Sequence, residues 1–216
     1  IQGGAYNRLV EGDAHIVFAK LYFVEAQYGQ SWTSLDDGNG TATDPIWKLT
    51  FDRTGRTWGF NYTINGIGTD FIAGSGFVPR SNIVTAHIFN RLSFYGAKGA
   101  LLENFTTFFG PTWLYEYDGF TQNAPIEGKQ EVTFQFTLRG GWALSAKASN
   151  EFTTFVPEFY DGLETSPGVP FAPPANLDGL YAGELSFTTP TYQLFDAAAS
   201  FEFGHTPLYA EGSEGK

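Results

Sequence analysis

The sequence predicts an all-β chain, an antiparallel up-and-down transmembrane β-barrel of about ten strands. Three observations predict it: strict period-two alternation, an aromatic-rich and charge-poor composition, and connections that alternate between short and long. The alternation is plainest in the run WKLTFDRTGRTWGFNYTI at residues 47–64. Trp47, Leu49 and Phe51 alternate with Lys48, Thr50 and Asp52; after Arg53-Thr54-Gly55-Arg56, Trp58, Phe60, Tyr62 and Ile64 alternate with Thr57, Gly59, Asn61 and Thr63. A strand that alternates in this way has one apolar and one polar face. The apolar face is largely aromatic, and the polar face is hydrogen-bonding rather than heavily charged. Strands that turn one face to lipid and the other to a lumen have this make-up.

The composition points the same way. Of 216 residues, 18% are aromatic, 22 of them Phe, and only 16% are charged, where an ordinary soluble domain carries about 25%. The length suits one all-β domain over residues 1–216. No apolar run approaches the roughly 20 residues that a spanning helix needs. Mean hydropathy is only -0.18, which a barrel tolerates because alternation cancels its apolar rows. The net charge of -11 excludes the basic surface that nucleic-acid binding requires. With no Cys, there is neither a disulfide framework nor a thiolate metal site. Met is also absent and Ile1 stands first, which reads as a processed chain or a fragment.

The elements follow in order. Residues 10–18 form a strand with Ala14, Ile16 and Phe18 on the apolar face. A turn at Ala19-Lys20 keeps Lys20 off that face, and 21–31 returns with Tyr22, Val24, Ala26 and Tyr28. Residues 32–44 are a polar loop, followed by the hairpin 45–52 and 57–65. A Gly-rich connection covers 65–81. Val84, Ala86, Ile88, Leu92 and Phe94 mark the strand 82–95, and a short turn follows at 96–99. Leu101, Phe105, Phe109, Trp113 and Tyr115 mark the strand 101–115, where Glu103 and Pro111 suggest a bulge. After a loop at 117–129, Val132, Phe134, Phe136 and Leu138 alternate up to the Gly140-Gly141 turn. Trp142, Leu144, Ala146 and Ala148 follow. The longest loop is 151–179. Tyr181, Gly183, Leu185 and Phe187 form one row, a turn falls at 189–191, and Phe195, Ala197, Ala199, Phe201 and Phe203 form the last row. Short turns and long loops on opposite ends are the pattern of an outer-membrane barrel, whereas Greek-key crossovers would break it.

Several stretches resemble a known family: FDRTGRTWGFNY at 51–62, GIGTDF at 66–71 and GFVPR at 76–80, with YNRLVEGDA at 6–14, NRLSFYG at 90–96, GALLE at 99–103, RGGW at 139–142 and the TP at 189–190. Together they resemble the outer-membrane β-barrel domain of unknown function that follows a family-nine-like carbohydrate-binding module in Gram-negative proteins. The resemblance spans nearly the whole chain, though the module itself is absent. It implies a bacterial outer-membrane location, a barrel that extends beyond ten strands, and a link to carbohydrate handling. It implies no reaction. The expected partners are the lipid bilayer, other outer-membrane proteins or the remaining parts of a larger barrel, and glycans; no cofactor is expected.

By parity, Asp13, Glu25, Lys48, Asp52, Arg91, Arg139, Lys147, Glu184, Asp196 and Glu202 belong to the polar, lumen-facing rows, where neighbouring strands can pair them into ladders. Asp70 and Arg80 are candidates to pin the Gly-rich connection, with Phe71 and Phe77 beside them. Asp36, Asp37, Asn39 and Asp44 offer clustered oxygen ligands for calcium, but lack the spaced acids and closing Glu of a calcium-binding loop; a polar external loop is expected instead. Trp32, Phe120, Phe159 and Tyr160 suit an interfacial girdle or sugar stacking. His15, His87 and His205 are scattered, and no HExxH or GxSxG occurs, so no catalytic residue is named. Spatially paired carboxylates of a hydrolase leave no trace in sequence. The expected role is transport, pore formation or surface anchoring. The alternative is a soluble secreted β-sandwich that binds carbohydrate or serves a structural role.

Overall fold

A strand with one apolar and one polar row satisfies its backbone only by pairing sideways, and this chain does so ten times in succession. The structure, a computed structural model, describes residues 5–34, 40–74, 76, 78, 80–155, 162–172, 176–208 and 213–215. The strands are β1 (Tyr6–Phe18), β2 (Tyr22–Ser34), β3 (Ala42–Arg53), β4 (Trp58–Ile67), β5 (Ile83–Tyr95), β6 (Leu102–Glu116), β7 (Glu127–Leu138), β8 (Trp142–Thr154), β9 (Glu164–Ser166), β10 (Val169–Pro170), β11 (Asn176–Thr188), β12 (Ala198–Gly204), β13 (Thr206–Leu208) and β14 (Ser213–Gly215). Ten of them form one sheet in the order β1-β2-β3-β4-β5-β6-β7-β8-β11-β12, while β9/β10 and β13/β14 are separate two-stranded ribbons. The large sheet is an antiparallel meander, each strand beside its predecessor. Among the described residues there is no helix. The chain divides into two compact units, one of residues 1–55, 60–88 and 112–125, the other of residues 56–59, 89–111 and 126–216.

The connections 35–41, 68–82, 117–126 and 155–175 lie at one end of the sheet, and 19–21, 54–57, 96–101, 139–141 and 189–197 at the other. The expected alternation holds except at 189–197, which is longer than 35–41. There the backbone N–H of Tyr192 donates to Phe195 and that of Thr189 to Ala197. These bonds bend Phe195, Asp196 and Ala197 into a loop, so the last strand begins later than the alternation suggests. The loop 155–175, expected to be irregular, holds the β9/β10 ribbon. Pro111, where a bulge was expected, lies within β6 and does not end it. Ala19 and Lys20 both have positive φ, 46° and 63°, the geometry of a tight hairpin that suits the twist of its strands. Gly140 and Gly141 take the same region at no steric cost, with φ of 92° and 88°.

Register places the two rows on opposite faces. In β1–β4 the apolar face carries Ile16↔Val24↔Phe51↔Tyr62 and Ala14↔Ala26↔Leu49↔Ile64 as adjacent rows. At its short-turn end the rings of Phe18, Tyr22, Phe51, Phe60 and Tyr62 stack in succession, with centroids 4.5 to 6.1 Å apart between neighbours. Phe60 is buried under these rings. At the other end Trp47 lies over Gly66, its cross-strand partner, where a Cβ would meet the indole at 2.6 Å. The same device recurs elsewhere: Phe152 covers Gly128, and Phe203 covers Gly183. In β1–β4 aliphatic side chains occupy the middle and aromatic rings both ends, whereas in β7, β8, β11 and β12 Phe134 and Phe201 share a row with Ala146 and Leu185.

Exposure inverts the order expected in water. Val10, Ile16, Leu185 and Phe201 are 64%, 62%, 54% and 64% exposed, and Trp58, Phe134, Tyr181 and Phe203 are exposed too. Ser31, Thr33, Thr50, Ser93, Thr106, Ser149 and Thr153, all on the polar face, are buried. Among the described residues the buried hydrophobics are only Phe60, Phe71, Val84, Ile126, Phe155 and Leu180. Trp58, Phe136 and Phe201 do not converge in a sealed core: Trp58 and Phe201 are exposed and Phe136 is half-buried.

Candidate functional site

The polar face holds most of the residues singled out from the sequence. In β1–β4, Glu25 accepts from Lys48 Nζ at 2.8 Å and lies 3.6 Å from His15 Nδ1. His15 stacks on Phe23 with centroids 4.8 Å apart. One step toward the short turns, Thr50 and Thr63 share a hydrogen bond of 3.0 Å, and Asn61 Nδ2 donates to Asp52 at 3.0 Å. His15 and Glu25, Thr50 and Thr63, and Asp52 and Asn61 are register partners, whereas Lys48 reaches Glu25 diagonally from the register position of Gln27. Asp13 is the register partner of Gln27 and is exposed.

A second ladder lines β7, β8 and β11. Lys129 Nζ lies 2.7 Å from Glu151 and 3.5 Å from Glu131, and Lys147 Nζ lies 2.8 Å from Glu131. Glu184 is the register partner of Lys147 on one side and Glu202 on the other. Like charges directly opposite one another are unfavourable, and Lys147 is the nearest compensation in that row. These residues border an open cleft of about 480 Å³. Lys129, Glu131 and Glu151 were not singled out in the sequence. The signal was present, since they continue the phase of Thr133 and Gln135, and of Lys147 and Ser149, past where the apolar residues stop. Arg91 is half-buried within β5. Arg139 lies in the 139–141 turn, where its guanidinium donates to the Gly99 carbonyl at 3.0 Å. Asp196 lies exposed in 189–197. Neither is in a strand row.

At the long-loop end, the segment after β4 folds back onto the polar face of β1–β3. Asn7 holds it with both ends of its amide: Nδ2 donates to the Ile72 carbonyl at 2.8 Å, and Oδ1 accepts from the Gly74 N–H at 2.8 Å. The same Nδ2 donates to Thr33 at 2.6 Å. Ser31 Oγ accepts from the Ile72 N–H at 3.4 Å. The Asp44 carboxylate accepts from the Asp70 N–H, and Gly68 fits only because a Cβ would strike that carboxylate. The Thr69 hydroxyl bridges to Asn82 and Asp118, at 3.1 and 2.9 Å. Pinning was expected from Asp70 and Arg80. Asp70 contributes through its backbone while its side chain is exposed, and Arg80 is half-buried. Phe71 is buried beneath the segment. Asn7, Ser31, Thr33 and Asp44 carry the attachment, and nothing local in the sequence marks them.

Asp36, Asp37, Asn39, Phe77, Phe159 and Tyr160 lie outside the described residues. Trp32 is exposed near the long-loop end, and Phe120 packs edge-on against Tyr115 at 5.5 Å. His87 Nδ1 meets Thr112 Oγ1 at 2.8 Å, a cross-strand hydrogen bond. No cluster of three metal-ligating side chains occurs among the described residues.

No family model, no curated protein and no solved structure matches the chain. Fold and side-chain geometry therefore carry the functional case alone.

Proposed function

We propose that this sheet is the wall of a β-barrel in a bacterial outer membrane, turned apolar side to lipid and polar side to a lumen, with a role in solute passage or surface anchoring. One observation carries it: within β2, β3, β5 and β8 the apolar Tyr28, Leu49, Phe94 and Leu144 are exposed, while Ser31, Thr50, Ser93 and Ser149 on the opposite face of the same strands are buried. Water would penalise that arrangement by about 25 cal/mol per Å² of apolar surface left uncovered; hydrocarbon removes the penalty. The aromatic rings at both ends of the apolar face of β1–β4 suit the two interfaces. Strands β1 to β8 run 10 to 15 residues. At roughly 3.3 Å per residue and a tilt of about 45°, they span about 23 to 35 Å, comparable with the apolar band of about 25 Å of outer-membrane barrels. Lipid offers no hydrogen bonds, so the outer edges of β1 and β12 must also be paired in the membrane, with each other or with further strands of a larger barrel. The soluble β-sandwich is the competing account, and it needs a second layer over the apolar rows. The described residues outside the large sheet supply only the two small ribbons.

Fractionation of cells expressing the full chain tests this. The proposal expects the protein in the envelope fraction, resistant to urea and carbonate, released by detergent, and migrating differently on electrophoresis before and after boiling. Release in soluble, folded form without detergent would defeat it.

A further inference from the structure

The folded-back segment encloses space as well as pinning itself. Beneath residues 68–74 lies a cavity of about 330 Å³, at the small end of the range for ligand pockets, about 300–1,000 Å³. Its floor is a row fixed by register. Gln27 of β2 faces Lys48 of β3, and Lys48 faces Asn65 of β4; Glu11 of β1 stands one row above. Gly29 borders the space, and Ile46 packs against it so closely that a Cβ there would lie 2.9 Å from Ile46 Cγ2. The roof is apolar, with buried Phe71 at its centre and Ala73 and Val78 beside it.

The partners of these floor groups limit what can enter. Lys48 is already balanced by Glu25. The Gln27 and Asn65 amides and the Glu11 carboxylate form no side-chain hydrogen bond among the described residues, although all three line the cavity. Each amide offers a donor pair and an acceptor. Gln27 and Asn65 are half-buried and Glu11 is exposed, so these groups can exchange water for the hydroxyls of an entering molecule, while the roof offers it an apolar surface. Such a molecule needs hydroxyls on one side and C–H groups on the other. It should not be an anion, because Glu11 leaves the floor with a negative balance.

We propose that this cavity binds one small uncharged polyhydroxy compound, hydroxyls against Gln27, Asn65 and Glu11, and C–H face against Phe71. Apart from Tyr28 and Trp47 at its border, the site is built from the polar side of β1–β4 and the segment after β4, so it does not rest on which medium covers the apolar face. The test is calorimetric titration of the full chain in a zwitterionic, sugar-free detergent, with myo-inositol and methyl β-D-glucopyranoside as probes and acetate as the anionic control. Saturable millimolar binding of at least one polyol, and none of acetate, is expected. Asn65→Ala and Gln27→Ala should each weaken it about tenfold, whereas Glu184→Gln in the other ladder should leave it unchanged. Polyol should also slow hydrogen exchange at the Ile72 and Gly74 amides. Absence of saturable binding to the folded chain would overturn the proposal. So would binding that persists unchanged in both amide variants, or that acetate matches.

Discussion

The two faces of this sheet differ in what holds them together. On the polar face, short directional contacts hold many of the side chains: Lys48 on Glu25, Thr50 on Thr63, Lys129 and Lys147 on Glu131, and Asn7 on the segment after β4. On the apolar face, rings lie over rings or over a cross-strand glycine, and much of the surface stays open. A soluble protein hides its apolar row and leaves its polar row wet. Here much of the polar row is paired within itself, while much of the apolar row is left open. On the proposed reading, the comparison points to a medium that solvates apolar groups over a wide area as the component that completes the sheet.

Substitutions on matched positions break or sharpen this contrast. The largest effect is expected for Leu185→Arg, on the exposed apolar face. In vesicles it should cost about 2–4 kcal/mol of folding stability, the penalty for a cation facing lipid at mid-depth. Ser145→Arg, on the opposite face, should stay within about 0.5 kcal/mol. Denaturant titration of the two variants in the same vesicles gives the difference. If both are near neutral, the apolar face is not in lipid.

Asn7→Ala comes next. It removes one amide that bonds to Thr33, Ile72 and Gly74, and a loss of about 1–2 kcal/mol is expected. Hydrogen exchange should accelerate at the Gly74 amide and remain unchanged along β7 and β8. A uniform acceleration would mean that the attachment serves the whole sheet.

The hairpin at 19–21 belongs to neither face and acts as a control. Ala19 and Lys20 hold φ of 46° and 63°, a region that costs L-residues roughly 1 kcal/mol. Replacing Ala19-Lys20 by Asn-Gly should therefore stabilise the chain by about 1 kcal/mol in micelles and vesicles alike. A gain confined to one medium would show that the turn is coupled to its surroundings.

Smallest is Lys147→Ala. It breaks an ion pair with Glu131 whose Lys is 35% exposed. Exposed pairs are worth about 0–1 kcal/mol, and the loss should shrink as salt rises. A loss that is large and salt-independent would mean that the second ladder is shielded from water.

Much of the sheet was legible in the sequence because alternation is local. Trp58 to Ile64 announces β4 by itself, and parity then puts Asn61, Thr63 and Asn65 on one face. That Glu25 and Lys48 share the polar face followed from parity, but their diagonal contact, one step off the Glu25–Thr50 register, did not. Other features needed more. Phe195, Asp196 and Ala197 alternate as well as any strand, yet bonds between Tyr192 and Phe195 and between Thr189 and Ala197 take them out of the sheet. The β9/β10 ribbon turns at Pro167-Gly168, a readable turn signal set inside an otherwise uninformative loop. That the Gly-rich connection is pinned was an expectation from the sequence, with Asp70 among the candidates, but the attachment by Asn7 and Ser31 was not readable. Asn7 meets Gly74 across 67 positions, and short polar side chains of this kind stand at many other places in the chain without such a role. The cavity floor is the intermediate case: its row follows from register, but its roof does not.

The central claim is that the apolar rows lie in hydrocarbon. A chain retaining Trp58 alone, with Trp32, Trp47, Trp113 and Trp142 replaced by Phe, places one fluorophore on the exposed apolar face near the short turns. Reconstituted in vesicles of brominated phosphatidylcholine, its emission should be blue-shifted, quenched most by bromine near the headgroups, and insensitive to aqueous iodide. Red-shifted emission that iodide quenches and brominated lipid does not would contradict the account.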